Sequence, residues 1–147
     1  MAWTRAQMPP LQGRTALVTG ANSGLGLETA RALAAQGATV LLACRNLAKA
    51  EHTKAQLMAE GLSGLEPLEL DLADLASVRR AAARVAARPE GLDLLINNAG
   101  VMAPPLRRSV QGFELQLAVN HLGHFALTQA LLPQLERRPA EIGRAHV

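Results

Sequence analysis

Apolar positions along this chain follow two rhythms. Short continuous apolar runs recur, and between them lie longer stretches with apolar residues three or four apart. The first run is T-A-L-V, Thr15 to Val18, closed by Thr19-Gly20. A continuous run bounded by glycine predicts a strand buried on both faces. From Gly24 to Gln36, Leu27, Ala30, Leu33 and Ala34 form one stripe and Gly37 supplies a stop, which predicts a helix. The unit then repeats. T-V-L-L-A, Thr39 to Ala43, predicts a second strand. Leu47 to Glu60 predicts a second helix, with Ala50, Lys54, Leu57 and Met58 spaced along it and Gly61 behind. Leu65 to Leu70 reads as a third strand, and Asp74 as the N-cap of a helix carrying Leu75, Val78, Ala82 and Val85. Leu92 to Ile96 reads as a fourth strand. A long helix is predicted from Gln111 to Glu136. Phe113, Leu117, Asn120, His124, Leu127 and Leu131 are expected on one face, with Pro133 kinking its end.

Strand and helix in alternation predict an α/β fold, a parallel sheet with helices on both faces. Right-handed crossovers make it doubly wound. The chain of 147 residues has room for one such domain with its own core. Hydrophobic residues make up 49% and charged residues 18%, which fits a packed protein rather than a disordered one. No apolar run approaches the ~20 residues that cross a bilayer, and the first ten residues lack the apolar core of a secretory signal. Cys44 is the single cysteine, so no internal disulfide can form, and a cytoplasmic location is expected.

The net charge of +3 is spread along the chain, and aromatic residues are only 2%. A nucleic-acid surface needs clustered cations and stacking rings, so that class is set aside. Arg80, Arg84 and Arg88 share one helical face and read as a solvated stripe. No cluster of carboxylates, histidines or cysteines predicts a metal site.

The loop after the first predicted strand is T-G-A-N-S-G-L-G, residues 19 to 26. Glycines here can turn the chain tightly, let backbone approach a diphosphate and let helix pack on strand. The helix that follows aims its free amides at the same place. A glycine trio alone is weak, but strand before and helix after is the context that dinucleotide binding requires.

The G-x-x-x-G-x-G spacing resembles the short-chain dehydrogenase/reductase family, whose fold is of the Rossmann type. Three further motifs agree: Asp71-Leu72 after the third strand, Asn97-Asn98-Ala99-Gly100 after the fourth, and Val119-Asn120-His121-Leu122-Gly123-His124-Phe125 in the long helix. L-A-C-R-N and N-H-L-G-H-F resemble most the retinol dehydrogenase and WW-domain oxidoreductase branch. The resemblance implies that Gly20, Asn22, Ser23, Gly24, Leu25 and Gly26 surround a pyrophosphate. It implies that Asp71 and Leu72 flank adenine, and that Asn98, Ala99 and Gly100 line a ribose. It also implies a small alcohol or carbonyl substrate, and pairing of two copies through the long helix, where Phe125, Gln129 and Leu132 lie.

The tip of the second strand chooses between cofactors. An acidic residue there would accept hydrogen bonds from the 2′-hydroxyl of NAD(H). This chain has Cys44, then Arg45 and Asn46. A guanidinium suits a phosphate, so NADP(H) is expected over NAD(H), with Arg45 and Asn46 at the 2′-phosphate.

Reduction of a carbonyl also needs a proton donor. In the family this is a tyrosine with a lysine four residues on, a serine orienting the carbonyl and an asparagine extending the relay. The asparagine corresponds to Asn120. The chain has no tyrosine, and its two lysines, Lys49 and Lys54, lie in the second predicted helix. His121 and His124 read as helix surface or core filling rather than replacements. Residues 13–140 are therefore expected to form the N-terminal, NADP-binding part of such an oxidoreductase, inactive by itself. The alternative is a non-catalytic dinucleotide sensor or partner-binding module. Residues 1–12, closed by Pro9-Pro10, read as a loose leader. Residues 141–147 read as non-native, because I-G-R-A-H-V matches one frame of a common sequencing adapter and lacks a strand pattern.

Overall fold

The computed structural model describes residues 2–137. Four strands and their helices alternate: β1 (Thr15–Thr19), α1 (Gly24–Ala35), β2 (Thr39–Cys44), α2 (Leu47–Ala59), β3 (Leu65–Glu69), α3 (Leu75–Ala86) and β4 (Leu94–Ile96). A continuous helical rod closes the series as α4 (Leu115–Leu117), a π-helical segment (Ala118–Gly123) and α5 (His124–Glu136). The sheet is parallel, in the order β3-β2-β1-β4. The expected doubly wound α/β architecture is present. The tail proposed to be non-native, 141–147, lies outside the described residues.

Alternation along the strands divides the core. Ala16, Val18, Val40, Leu42 and Cys44 face α1 and α2, with Ala30, Leu33, Ala50 and Leu57 opposite them. Leu17, Leu41 and Ala43 face the other way, onto Val78, Ala82, Val85, Leu127 and Leu131 of α3 and α5. β1 is buried at every position, as the unbroken run T-A-L-V implies for a central strand.

Several expectations need revision. The leader is not loose throughout: Met8 and Leu11 pack on the first cluster, and the Leu11 amide donates to the Gln36 carbonyl at 2.7 Å. β4 is shorter than 92–96, because Leu92 is core and Asp93 serves as a tie. The Asp93 carboxylate, 3% exposed, accepts from the Thr15 amide at 2.7 Å and from Arg14 Nη1 at 3.2 Å. An Asp93→Ala variant is expected to lose about 2 kcal/mol of stability, because the buried Thr15 amide loses its acceptor. Asp93→Asn should lose less. Urea melts that rank the two alike would refute this account of the tie.

Arg88 does not belong to a solvated stripe either. It is half-buried and makes a two-pronged pair with Glu66 of β3 (Nη2 to Oε1 3.1 Å). The long helix begins at Leu115, not Gln111. Residues Ser109 to Gly112 form a turn, and the Glu114 carboxylate caps the helix by accepting from the Gln116 and Leu117 amides, both at 2.8 Å. That bonding holds the Glu114 carboxyl below its usual value. No helix among the described residues is long and apolar enough to cross a membrane.

Candidate functional site

β1 sits between β2 and β4, so the chain leaves it toward one side and later returns on the other. The carboxyl ends of the strands therefore open into a crevice at this reversal, where doubly wound sheets take their ligands. A cleft of about 230 Å³ lies there, bounded by Gly20, Asn22, Arg45, Asp71 and Gly100 among others.

At the β1–α1 corner, Gly20 adopts φ +65°. A side chain there would be strained, and its Cβ would come 3.0 Å from Ala99 Cα. Gly24 also has positive φ, with nothing near its missing Cβ, whereas Gly26 is pressed against the Gly20 carbonyl and Asn98. Ser23 is the N-cap of α1, and its hydroxyl makes no capping bond. The first-turn amides beside the exposed Leu25 thus lack a side-chain partner, which leaves a positive helix end facing an adjoining hollow.

At the β2–α2 corner, Cys44 is buried. Burial pushes its thiol up, opposed by hydrogen bonds from the Ala21 and Asn22 amides. The next residue, Arg45, lines the cleft, is exposed and makes no salt bridge among the described residues. Asn46 is partly committed: its Oδ1 caps α2 by accepting from the Lys49 amide at 3.2 Å. It borders a second hollow shared with Asn22, Lys49 and His52.

After β3, Asp71 Oδ1 accepts from the Ala73 amide at 2.9 Å, which fixes the carboxylate at the rim of the cleft. Leu72 is buried and packs in the second core cluster while also reaching the cleft. Its carbonyl bears on Gly123 of the π-helical segment.

After β4, one hydroxyl organises the backbone. Thr19 Oγ1 accepts from the Asn98 and Ala99 amides, each at 2.9 Å, and the Asn98 side chain donates to the Thr19 carbonyl at 3.0 Å. Asn98 is therefore turned back toward β1 rather than out into solvent. Asn97 holds the far side, donating to Thr128 Oγ1 at 3.0 Å.

Asn120 lies in the π-helical segment. Its Oδ1 accepts from the Val101 amide and its Nδ2 donates to the Val101 carbonyl, both at 2.8 Å. This reciprocal pair fixes the strip after Gly100 and brings Asn120 Oδ1 within 3.4 Å of where a Gly100 Cβ would be. Ala103, next along, has φ +45° and donates its amide to Gln116 Oε1 at 2.8 Å.

The structure thus gathers Gly20, Asn22, Arg45, Asp71, Leu72, Ala99 and Gly100 around one cleft, with Ser23, Leu25 and Asn98 around its extension. Asn46 borders the second hollow, and Asn120 lines a separate hollow that has Ala99 in common with the cleft. Sequence reasoning missed Thr19, Val101 and Val119, which also line the cleft. Thr19 carried a legible signal, a polar residue ending an otherwise apolar central strand, but its partners lie about eighty residues away. Among the described residues no cluster of histidine, cysteine and carboxylates could hold a metal.

Known proteins are similar to this chain in sequence and in fold. The family model "short chain dehydrogenase" matches residues 14–143. Mouse retinol dehydrogenase 11 is 48% identical over 134 residues, covering 90% of this chain and 42% of the relative. A crystal structure of an uncharacterised protein from Mycobacterium paratuberculosis superposes with TM-score 0.83 at 51% identity, covering 91% of this chain and 47% of that one. A short chain dehydrogenase from Burkholderia cenocepacia, solved in complex with NADP, gives 0.71 at 35% identity over 86% of this chain and 52% of its own. The chain spans less than half the length of the curated relatives it matches. That family model spans the parallel sheet, the glycine corner and the Asn97–Gly100 loop, and the chain belongs to the short chain dehydrogenase family.

Proposed function

We propose that this chain is the cofactor-binding part of an NADP(H)-dependent oxidoreductase whose substrate is an alcohol or a carbonyl compound. The observation that carries the choice of NADP(H) is Arg45: a guanidinium with no salt bridge among the described residues, at the β2 tip on the rim of the cleft, where an acidic residue would favour NAD(H). The uncapped first turn of α1 and the open space at Gly24 suit a diphosphate. The NADP complex of the Burkholderia cenocepacia relative supports the same reading.

Bound NADPH would supply a hydride. The residues of this chain would do the rest of the positioning. Gly20 to Gly26 hold the diphosphate by backbone amides. Arg45 and Asn46 neutralise and orient the 2′-phosphate, Asp71 and Leu72 bound the adenine, and Asn98 to Gly100 form the floor beneath the ribose. Asn120 spends its side chain on Val101, so it acts on the reaction through its own backbone and through the loop it holds. The chain has no tyrosine to donate a proton. Binding without turnover is the expected behaviour of these 147 residues alone. Phe125 and Leu132, exposed on α5, are where a second copy would pair.

The test is a fluorescence titration with NADPH and NADH. NADPH should bind at least about tenfold more tightly, and Arg45→Ala should remove most of that preference, a change of roughly 1.4 kcal/mol or more. Equal affinities in the unmutated chain, or a preference untouched by Arg45→Ala, would overturn the assignment.

A further inference from the structure

His124 is the only histidine among the described residues that is buried, and neither the glycine corner nor Arg45 uses it. Its Nε2 lies 2.8 Å from Thr19 Oγ1. A threonine hydroxyl has one proton and two lone pairs. Both lone pairs of Thr19 are engaged, because Oγ1 accepts from the Asn98 and Ala99 amides at 2.9 Å. The hydroxyl proton therefore needs an acceptor. The Ile96 carbonyl is at the outer limit, 3.5 Å, while His124 Nε2 is close. An N–H at Nε2 would find no free lone pair on Thr19. The bonding closes only if Nε2 carries no proton.

We infer that His124 is a positioning residue of the cleft: neutral, protonated on Nδ1, it takes the Thr19 hydroxyl proton and so frees Oγ1 to hold the Asn98 and Ala99 amides. The element that carries Asn120 is thereby coupled to the loop that floors the cleft. The part concerning cofactor affinity rests on the dinucleotide reading above; the protonation state does not.

The surroundings agree. Burial holds the His124 pKa below the ordinary 6.5, with a backbone contact from Asn120 opposing. The hollow beside the ring is lined by Asn97, Ala99, Asn120, Phe125 and Thr128, and His121 is the one other titratable group there. Leu72, from the segment after β3, adds no charge. The Asn120 backbone bond is the one contact here that favours an imidazolium, burial outweighs it, and no carboxylate lines the hollow.

Long-range proton–nitrogen NMR on the ¹⁵N-histidine-labelled 147-residue chain tests the state directly. The His124 signals, assigned by their loss in His124→Gln, should show the Nδ1–H form and should resist protonation through 6.5. An Nε2–H form, or ordinary titration near 6.5, would overturn the inference. The folded value lies below the unfolded one, so the unfolded chain protonates first. Stability should therefore be complete above 6.5 and fall as pH drops toward the folded value, a slope that His124→Gln removes.

Affinity is a separate readout. His124→Leu leaves the hydroxyl without its acceptor and should weaken NADPH binding by about tenfold. His124→Gln, whose Oε1 can replace Nε2 as acceptor, should recover most of that loss. Leu and Gln variants that bind alike would remove the positioning role. If the Leu variant does not fold, the NMR result and the Gln variant still decide. If the unmutated chain binds no NADPH, the functional reading fails while the protonation state is judged on its own.

Discussion

A Gly26→Ala variant is expected to lose NADPH binding by at least about a hundredfold, roughly 2.7 kcal/mol, and to melt well below the parent. The added Cβ would overlap the Gly20 carbonyl and stand 2.5 Å from Asn98 Nδ2. Neither neighbour can yield cheaply. Gly20 is held by its amide's bond to the Ala43 carbonyl at 2.9 Å, and Asn98 by its bonds to Thr19. Overpacking of this kind costs about 3 kcal/mol. Gly24→Ala is the control two residues away. It meets nothing within 4 Å and suffers only from its positive φ, so it should cost about 1 kcal/mol. Equal melting points and affinities for the two variants would show that α1 does not press on the loop as described.

The second large effect is expected at Gly123. Its Cβ would overlap the Leu72 carbonyl and come 2.9 Å from Leu72 Cβ. Leu72 is both core and cleft wall, so the helical rod cannot move away without opening the second core cluster. Gly123→Ala should therefore cost about 3 kcal/mol and lower the melting midpoint by roughly 10 °C. Cofactor affinity should fall with it, because Leu72 is displaced. Calorimetry and the same NADPH titration measure both. An unchanged midpoint would mean that the rod and the β3 end are not in contact.

These two glycines also mark the limit of what the sequence disclosed. Gly26 was legible, since it falls within a glycine corner between a strand and a helix. Gly123 was not, because its partner Leu72 is distant in sequence and nothing in the spacing identifies the contact. The core strands were readable from their unbroken apolar runs, as in T-V-L-L-A of β2. The long helix was misjudged for a specific reason. A 3.6-residue period carried Phe113 and Leu117 onto the same face as Leu127 and Leu131, yet the first pair is exposed and the second buried. The cap at Glu114 lies inside the apparent period, and the π-helical turn at Ala118–Gly123 rotates the face that follows. The motif singled out Asn120, but its reciprocal bonding to Val101 depends on that turn and could not be read from spacing.

The tie from Thr19 to Asn98 and Ala99 spans about eighty residues. β1 can find β2 soon after both are synthesised, but β4 arrives much later, and closing so long a loop carries an entropic penalty before any contact repays it. Both walls of the crevice meet only at that closure. A nucleotide that bridges the two walls would bind the closed form and not the open one, and so would act as a folding ligand, raising stability in proportion to the logarithm of its concentration.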